Sequence, residues 1–261
     1  MFAAGARCRV LFSFFGGGVM KIPKGGATEG RERLRHFVEG RARDYAATRN
    51  DLDGTVSGLS PWIRYGALMA SEVRDAVVAR MGKESAAKFV SELGWRDYWH
   101  RVYVEVGERI WEDLRPSATG NPASLYSEEL PPDVMAGRTG LRCMDSFVAE
   151  LVASGTMHNH ARMWFASWVV HWLRIKWQAG AKFFLAHLLD ADIASNNLSW
   201  QWVAGTFSSK PYIFNRQNLD RFSKGRFCSG CHFRENCPFE GTYEELEARL
   251  FPRLVRRLEH P

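Results

Sequence analysis

"HLLDADIASNNLSWQWVAGT", residues His187 to Thr206, crowds two carboxylates, two adjacent amides and two tryptophans into one short run. Asp190, Asp192, Asn196, Asn197, Trp200 and Trp202 make a poor plain core segment, because buried charges and amides cost free energy unless each finds a partner. The run therefore calls for a polar ligand, an internal network, or both. Its surroundings are helix-forming. Apolar residues fall at helical spacing over 28–48 (Leu34, Phe37, Val38, Tyr45), 61–81, 84–113 (Trp95, Trp99, Val102), 141–155, 158–178 and from 242 to about 258. Trp164, Trp168 and Trp172 recur every fourth residue and so share a face, for which core packing is the plain explanation.

Between these segments, "DLDGTVSGLS" (51–60) has the composition of a loop, with Pro61 suited to the first turn of the next helix. Residues 115–140 are rich in Pro, Gly and Ser and form a long irregular connection, and a polar loop follows Pro211. Strand alternation and internal repeats are lacking. The fold class is all-α.

The chain has 261 residues, 46% hydrophobic, enough to bury a sizeable core. A net charge of +6 favours an anionic partner over a cationic one. Five cysteines, three of them (Cys228, Cys231, Cys237) close together, do not suit a secreted disulfide framework. They point to a metal or cluster site in a reducing, cytoplasmic setting. No apolar run is long enough for a membrane span. "RCRVLFSFFGGGVM" imitates a signal peptide but lacks a prompt small-x-small cleavage site. Residues 1–21 are expected to be an extension, with Met20 the natural start, and 22–261 the helical domain, with a cysteine loop at 221–241.

"TMHNHARM" (156–163) contains His158 and His160, which taken alone are a metal pair or polar caps at a helix start. Followed by "DADIASNNLSWQW" (190–202), it resembles the flavin-binding helical domain of the DNA photolyase/cryptochrome family, written W-M-H-N-R-x-R-M and D-G-D-x-A-x-N-x-x-x-W-Q-W. "DLDGTVSGLSPWIRYGAL" (51–68), "ELGWRDYW" (92–99) and "AGRTGLRCMDSFVAEL" (136–151) resemble three further family motifs in the same order. The likeness spans most of residues 22–220.

The resemblance implies FAD as cofactor and light-driven repair of pyrimidine dimers. It points to cyclobutane dimers in single-stranded DNA, with a cryptochrome-like blue-light sensor as the alternative. The implied flavin contacts are Tyr45, Arg49, Thr55, Ser57, Leu59, Ser60, Trp95, His158, Arg162, Asp190, Asp192 and Asn196. A diphosphate suits a loop rich in hydroxyls and N–H groups ahead of a helix. Trp95 and Trp202 match the aromatics that clasp the dimer, Arg96 a substrate contact, Glu92 the acid on its carbonyl, and Asn159 a further lesion-contacting amide. Trp200 and Trp177 match the inner two indoles of the family's electron chain. The outer one falls by spacing at Ser124, with Tyr126 as a substitute. The loop holds one extra residue, Gly58 replaces the family's arginine, and Thr156 replaces a tryptophan.

Cys143 with Cys228, Cys231 and Cys237 resembles the ligand set of a [4Fe–4S] cluster in the iron–sulfur bacterial cryptochromes and photolyases, with a shorter last gap. Zinc, with His232 as a possible ligand, is the alternative. The resemblance further implies no α/β antenna domain and no antenna chromophore, a monomer, and damaged DNA rather than a membrane as partner.

Overall fold

The computed structural model describes residues 22–254; the N-terminal extension, Met20, Cys8 and positions 255–261 lie outside it. The described chain is built of helices and turns. Its single β contact is an isolated parallel bridge between Ser127 and Ile175. No described helix is long and apolar enough to cross a membrane. The helices are α1 (Ala27–Glu39), α2 (Tyr45–Thr48), α3 (Ser60–Arg64), α4 (Ala70–Met81), α5 (Lys83–Val106) and α6 (Pro132–Met135). They continue with α7 (Arg142–Ser154), α8 (Asn159–Ser167), α9 (Trp177–His187), α10 (Ile193–Ala204), α11 (Arg216–Ser223) and α12 (Tyr243–Leu250).

Two apolar cores organise these elements. The first joins Leu34 and Phe37 of α1, Leu59 and Trp62 at α3, Val73 and Val77 of α4, and Phe89 of α5. The second is larger. It gathers Met144, Phe147 and Leu151 of α7, Trp164 and Phe165 of α8, Phe184 of α9, Trp200 of α10, and Phe214 and Phe239. Each such side chain stabilises the fold by about 1.5–3 kcal/mol on burial. α10 packs along both α9 and α5, so the second half of α5 links the two cores.

Three expected helices are interrupted. The 28–48 segment ends as α1 at Glu39, passes through a 3₁₀ turn at Ala42–Asp44 and restarts as α2. The 61–81 segment divides into α3 and α4. The 158–178 segment ends as an α-helix at Ser167, passes through a π-helical turn at Trp168–Trp172, and restarts at Trp177. Tertiary partners decide this. The buried His171 ring meets Val203 O at 2.9 Å, and Trp172 Nε1 donates to Pro238 O at 2.8 Å. Arg174 then takes a positive φ of 55°, which frees its carbonyl to accept from Ser127 N. Consequently the three tryptophans split: Trp164 and Trp172 both pack on Phe214, whereas Trp168 packs on Phe165.

The last helix is broken at Phe251, because Pro252 has no N–H to donate and restricts the residue ahead of it; helix resumes at residues 252–254, and the expected end near 258 lies outside the described residues. The polar stretch after Pro211 contains α11, started by Asn215 Oδ1 accepting from Asn218 N at 2.9 Å, before the cysteine turns begin. The region 115–140 is largely irregular, as composition implies, apart from a 3₁₀ turn at Ala123–Leu125 and α6.

Candidate functional site

The site forms where the two cores meet. α8 starts at His158, whose Nδ1 accepts from His160 N at 3.2 Å as an N-cap. One turn on, Arg162 points back to Met157 O (2.9 Å) and pairs with Asp190, Nη2 to Oδ2 at 3.1 Å. The same Asp190 oxygen accepts from Ser60 Oγ at 2.8 Å, and Arg64 Nε reaches Ala191 O at 3.4 Å. Residues 130 positions apart are thereby joined across the boundary between the cores. The turn between the two acids runs through Ala191 at φ 22°, where the family pattern has glycine.

Asp192 caps α10 by accepting from Ser195 N at 3.1 Å. It is buried and takes an ion pair from Arg96 and a 2.8 Å hydrogen bond from His100, both on α5. Burial pushes its carboxyl upward, but Arg96 and His100 outweigh that and hold it below the usual range. Arg96, expected as a substrate contact, pairs with Asp192 at the start of α10. His100 is a partner that the sequence reading missed, although it lies one turn after Arg96.

The 51–60 loop is pinned from beneath. Leu52 N donates to Phe222 O at 2.9 Å, His160 Nδ1 meets Asn50 O at 2.8 Å, and Lys224 pairs with Asp53 at 2.9 Å. In this loop Thr55 is buried and its Oγ1 has no hydrogen-bond partner. His158 Nε2 is likewise buried and unpartnered. Burial first, then the neighbouring His160 and Arg162, lowers the His158 pKa to about 4, so its ring is neutral at pH 7. Two orphaned polar atoms, on the loop and on the start of α8, fit a polar cofactor lying between them, since such atoms are otherwise costly. Ser57 accepts from Leu59 N at 3.4 Å, and Leu59 itself is fully buried in the first core. Leu59 therefore supports the loop from within. Asn196 donates to Ala181 O (3.0 Å) and to Asn197 Oδ1 (3.1 Å), which locks its amide against α9.

Tyr45, Arg49 and Glu92 form a second cluster. Glu92 Oε1 takes Arg49 at 3.3 Å and Lys88 at 2.7 Å. Burial first, and then the Glu92 charge, pushes the Tyr45 hydroxyl up to about 12, so it stays protonated. One turn further along α5 an aromatic cleft of about 590 Å³ opens to solvent, lined by Trp95, Tyr98, Trp99, Trp202, Phe207 and Arg115 among others. Trp95 and Trp202 are 47% and 38% exposed, unusual for indoles that could pack. Trp95 and Trp99 lie 5.2 Å apart, Trp99 and Phe207 5.6 Å, and Arg115 sits 5.9 Å over Phe207. Tyr98, Phe207 and Arg115 were not singled out from the sequence, and Trp99 was read only as part of a helical stripe; the dense run "WRDYW" was the available signal. Asn159 is exposed at the start of α8, its amide against Met163 Sδ at 3.7 Å.

Trp200 and Trp177 are both buried. Ser124 is exposed on its 3₁₀ turn, and Tyr126 packs on the core that contains Trp177, with the Arg174 guanidinium 6.0 Å from its ring centroid.

Cys143, Cys228, Cys231 and Cys237 line one small pocket of about 20 Å³, together with Phe227, Phe233 and Phe239, and all four are free of disulfides. Arg142 Nη1 binds Ser229 O at 3.0 Å and so docks the start of α7 onto the cysteine turns. Burial pushes the thiols of Cys143, Cys228 and Cys237 upward. Among the described residues no three His, Cys, Asp or Glu side chains close in on a single ion position.

The FAD binding domain of DNA photolyase matches residues 89–239. A deoxyribodipyrimidine photo-lyase of Streptomyces griseus is 35% identical over 189 residues, covering 71% of this chain and 40% of the relative. A cryptochrome DASH of Idiomarina loihiensis is 31% identical over 205 residues, covering 76% and 45%. The chain thus spans less than half the length of these curated relatives. A crystal structure of a class III photolyase from Agrobacterium tumefaciens superposes with a TM-score of 0.69 at 24% identity, covering 90% of this chain and 56% of that one, which establishes the same helical fold. The chain belongs to the family of the FAD binding domain of DNA photolyase.

Proposed function

We propose that this chain carries the flavin site and the lesion cleft of a light-driven lyase that splits cyclobutane pyrimidine dimers in single-stranded DNA. The observation that carries the reading is the open aromatic cleft between Trp95 and Trp202, beside the polar site bounded by Arg96 and Asp192. Holding large indoles at the surface forgoes burial, and the return is a stacking site for an extruded base, worth roughly 1–3 kcal/mol per aromatic. An enzyme that acts on a base must take it out of the stack, and a single strand lowers the cost of that extrusion. Arg115 at the cleft edge supplies positive charge for a phosphate.

When bound, FAD would supply light absorption and the single electron that opens the dimer and afterwards returns. The chain's own residues bind and orient. Ser60, Arg162 and Asp190 fix the turn that presents Asp192 and Asn196, while Thr55 Oγ1 and His158 Nε2 offer hydrogen bonds to the cofactor. A carboxylate accepts only, so with Glu92 ion-paired the donors available to a dimer carbonyl at this spot are Arg49 and Lys88.

The reading extends to a [4Fe–4S] cluster on Cys143, Cys228, Cys231 and Cys237. Support comes from four unbridged thiols of two distant segments facing one pocket. A zinc ion needs ligands converging at about 2.3 Å on one point, whereas a cluster suits thiols that face a common space from further apart.

Reduced, flavin-loaded protein mixed with dimer-containing oligo(dT) under blue light tests the repair step. Loss of dimers that Glu92→Ala cripples, with flavin photoreduction retained, is the expected result. Dimers that persist while a control photolyase removes them would sink the repair reading and leave the blue-light sensor alternative; a cryptochrome DASH is among the relatives.

A further inference from the structure

The aromatic surface of the cleft continues past the Trp95–Trp202 clasp. Trp99 packs on Trp95 at 5.2 Å and on Phe207 at 5.6 Å, so Phe207 lies one ring beyond the clasp, where Arg115 stands over it. This outer rim is clamped from below by one amide. Gln201, the residue before Trp202 on α10, is fully buried. Its Oε1 accepts from Leu114 N at 3.0 Å and from Thr206 Oγ1 at 3.3 Å. Its Nε2 donates at 3.2 Å to Ile110 O, in the 3₁₀ turn Gly107–Trp111 that follows α5. The Gln201 carbonyl takes Phe207 N at 3.2 Å, and Gly205, which ends α10 at φ 80°, accepts from Ala118 N at 2.9 Å. Two segments 87 positions apart are thereby locked together, and Arg115 and Phe207 meet without a ligand to assemble them.

Mutual shielding of apolar surface would explain rings in contact. It does not explain the charge. Among the described residues lining the cleft, the only charge is that of Arg115, which is exposed, and no acid accompanies it. A cation fixed beside a half-buried aromatic face, on the rim of an open cleft, suits an unstacked nucleotide, with the base on the ring and the phosphate on the guanidinium. In a duplex the base beside a lesion is still paired and stacked, so it cannot reach this rim. In a single strand it is free to do so.

We propose that Trp99, Phe207 and Arg115 form a second subsite, which takes the undamaged nucleotide next to the lesion in single-stranded DNA. The inference deepens the lesion-cleft reading above and rests on it. Trp99 is the wall shared between the clasp and this subsite. The base stacks on Phe207, and Arg115 pairs with the phosphate that joins it to the lesion. Preference for a single strand then comes from the rim as well as from easier extrusion.

Flavin-loaded protein in the dark provides the test, by competition against a fluorescent dimer-containing oligo(dT). A thymine dimer carrying one thymidine on each side is expected to bind about five- to 150-fold more tightly than the bare dimer dinucleotide. Phe207→Ala and Phe207→Leu should lose that gain, and Phe207→Tyr should keep it. Arg115→Gln should reduce the slope of log affinity against log salt by about 0.7, the share of one single-strand phosphate. On a duplex containing the same dimer, Phe207→Ala should have no such effect. The proposal is overturned if the gain survives in Phe207→Ala or Phe207→Leu of wild-type melting temperature, or if duplex binding depends equally on Phe207. Should Phe207→Ala fail to fold, the contrast between leucine and tyrosine decides. Lesion-free oligo(dT) separates the two readings: if the bare dimer does not bind while Phe207-dependent binding of oligo(dT) persists, the lesion reading fails and the nucleotide subsite stands.

Discussion

The Ser60 hydroxyl donates to Asp190 Oδ2 at 2.8 Å, the same oxygen that takes Arg162 Nη2 at 3.1 Å. One carboxylate therefore ties the N-terminal core to α8 and to the turn ahead of α10. Asp190→Asn would remove the charge and leave a part-buried guanidinium unpaired. Because the Arg162 side chain is 28% exposed, the loss is below that of a fully buried pair, about 1–3 kcal/mol. Denaturant unfolding of the cofactor-free protein measures it, and an unchanged midpoint would show that the junction contributes nothing.

Gly180 faces the Trp200 ring so closely that any Cβ must displace it. Gly180→Ala should overpack this contact and cost about 1–3 kcal/mol. Thermal unfolding gives the magnitude, and near-ultraviolet circular dichroism reports whether the Trp200 environment shifts.

The cleft makes a prediction about binding. Trp95→Ala or Trp202→Ala should weaken capture of a dimer-containing oligonucleotide by roughly 1–3 kcal/mol each, and Trp202→Ala should do so with flavin content unchanged. Fluorescence anisotropy separates this from a folding defect, because the weakened variants should keep the wild-type melting temperature. Arg96→Gln should behave differently: it leaves Asp192 half-paired at the cap of α10 and should lower stability together with binding.

His158 provides a pH-dependent test. Its folded-state pKa lies near 4, against 6.5 ordinarily, so the unfolded chain takes up the proton first as the pH falls. The stability it contributes is complete above pH 6.5 and is lost progressively toward pH 4. His171, fully buried and likewise lowered to about 4, acts in the same window and the same direction. His158→Asn keeps an N-cap acceptor but cannot titrate, so the stability profile of the cofactor-free variant should be flatter between pH 6.5 and 4. An identical slope would mean that the ring is solvated in the native state.

Cys143→Ser should abolish iron and acid-labile sulfide in protein purified without oxygen, together with the broad visible absorption of a cluster. Stoichiometric zinc in the wild type would replace the cluster reading with a thiolate zinc site.

Much of this was legible in the chain itself. Helical periodicity and missing strand alternation determined the all-α class. The order of short motifs singled out Arg162 with Asp190, Trp95 with Trp202, and Cys143 with the later cysteines, and the folded chain brings each group together. Those motifs are short and local, so a single sequence carries them whole. The break at Phe251 has an equally local cause in Pro252, although the helical periodicity runs through it. Tertiary structure alone decided the rest. The π turn at Trp168–Trp172 forms because His171 and Trp172 reach acceptors far along the chain, which no local period encodes. Arg96 turns to Asp192 because α5 crosses α10 there. Trp111 meets Trp177 across 66 positions of sequence, and only the folded packing of the turn after α5 against α9 makes the two rings parallel.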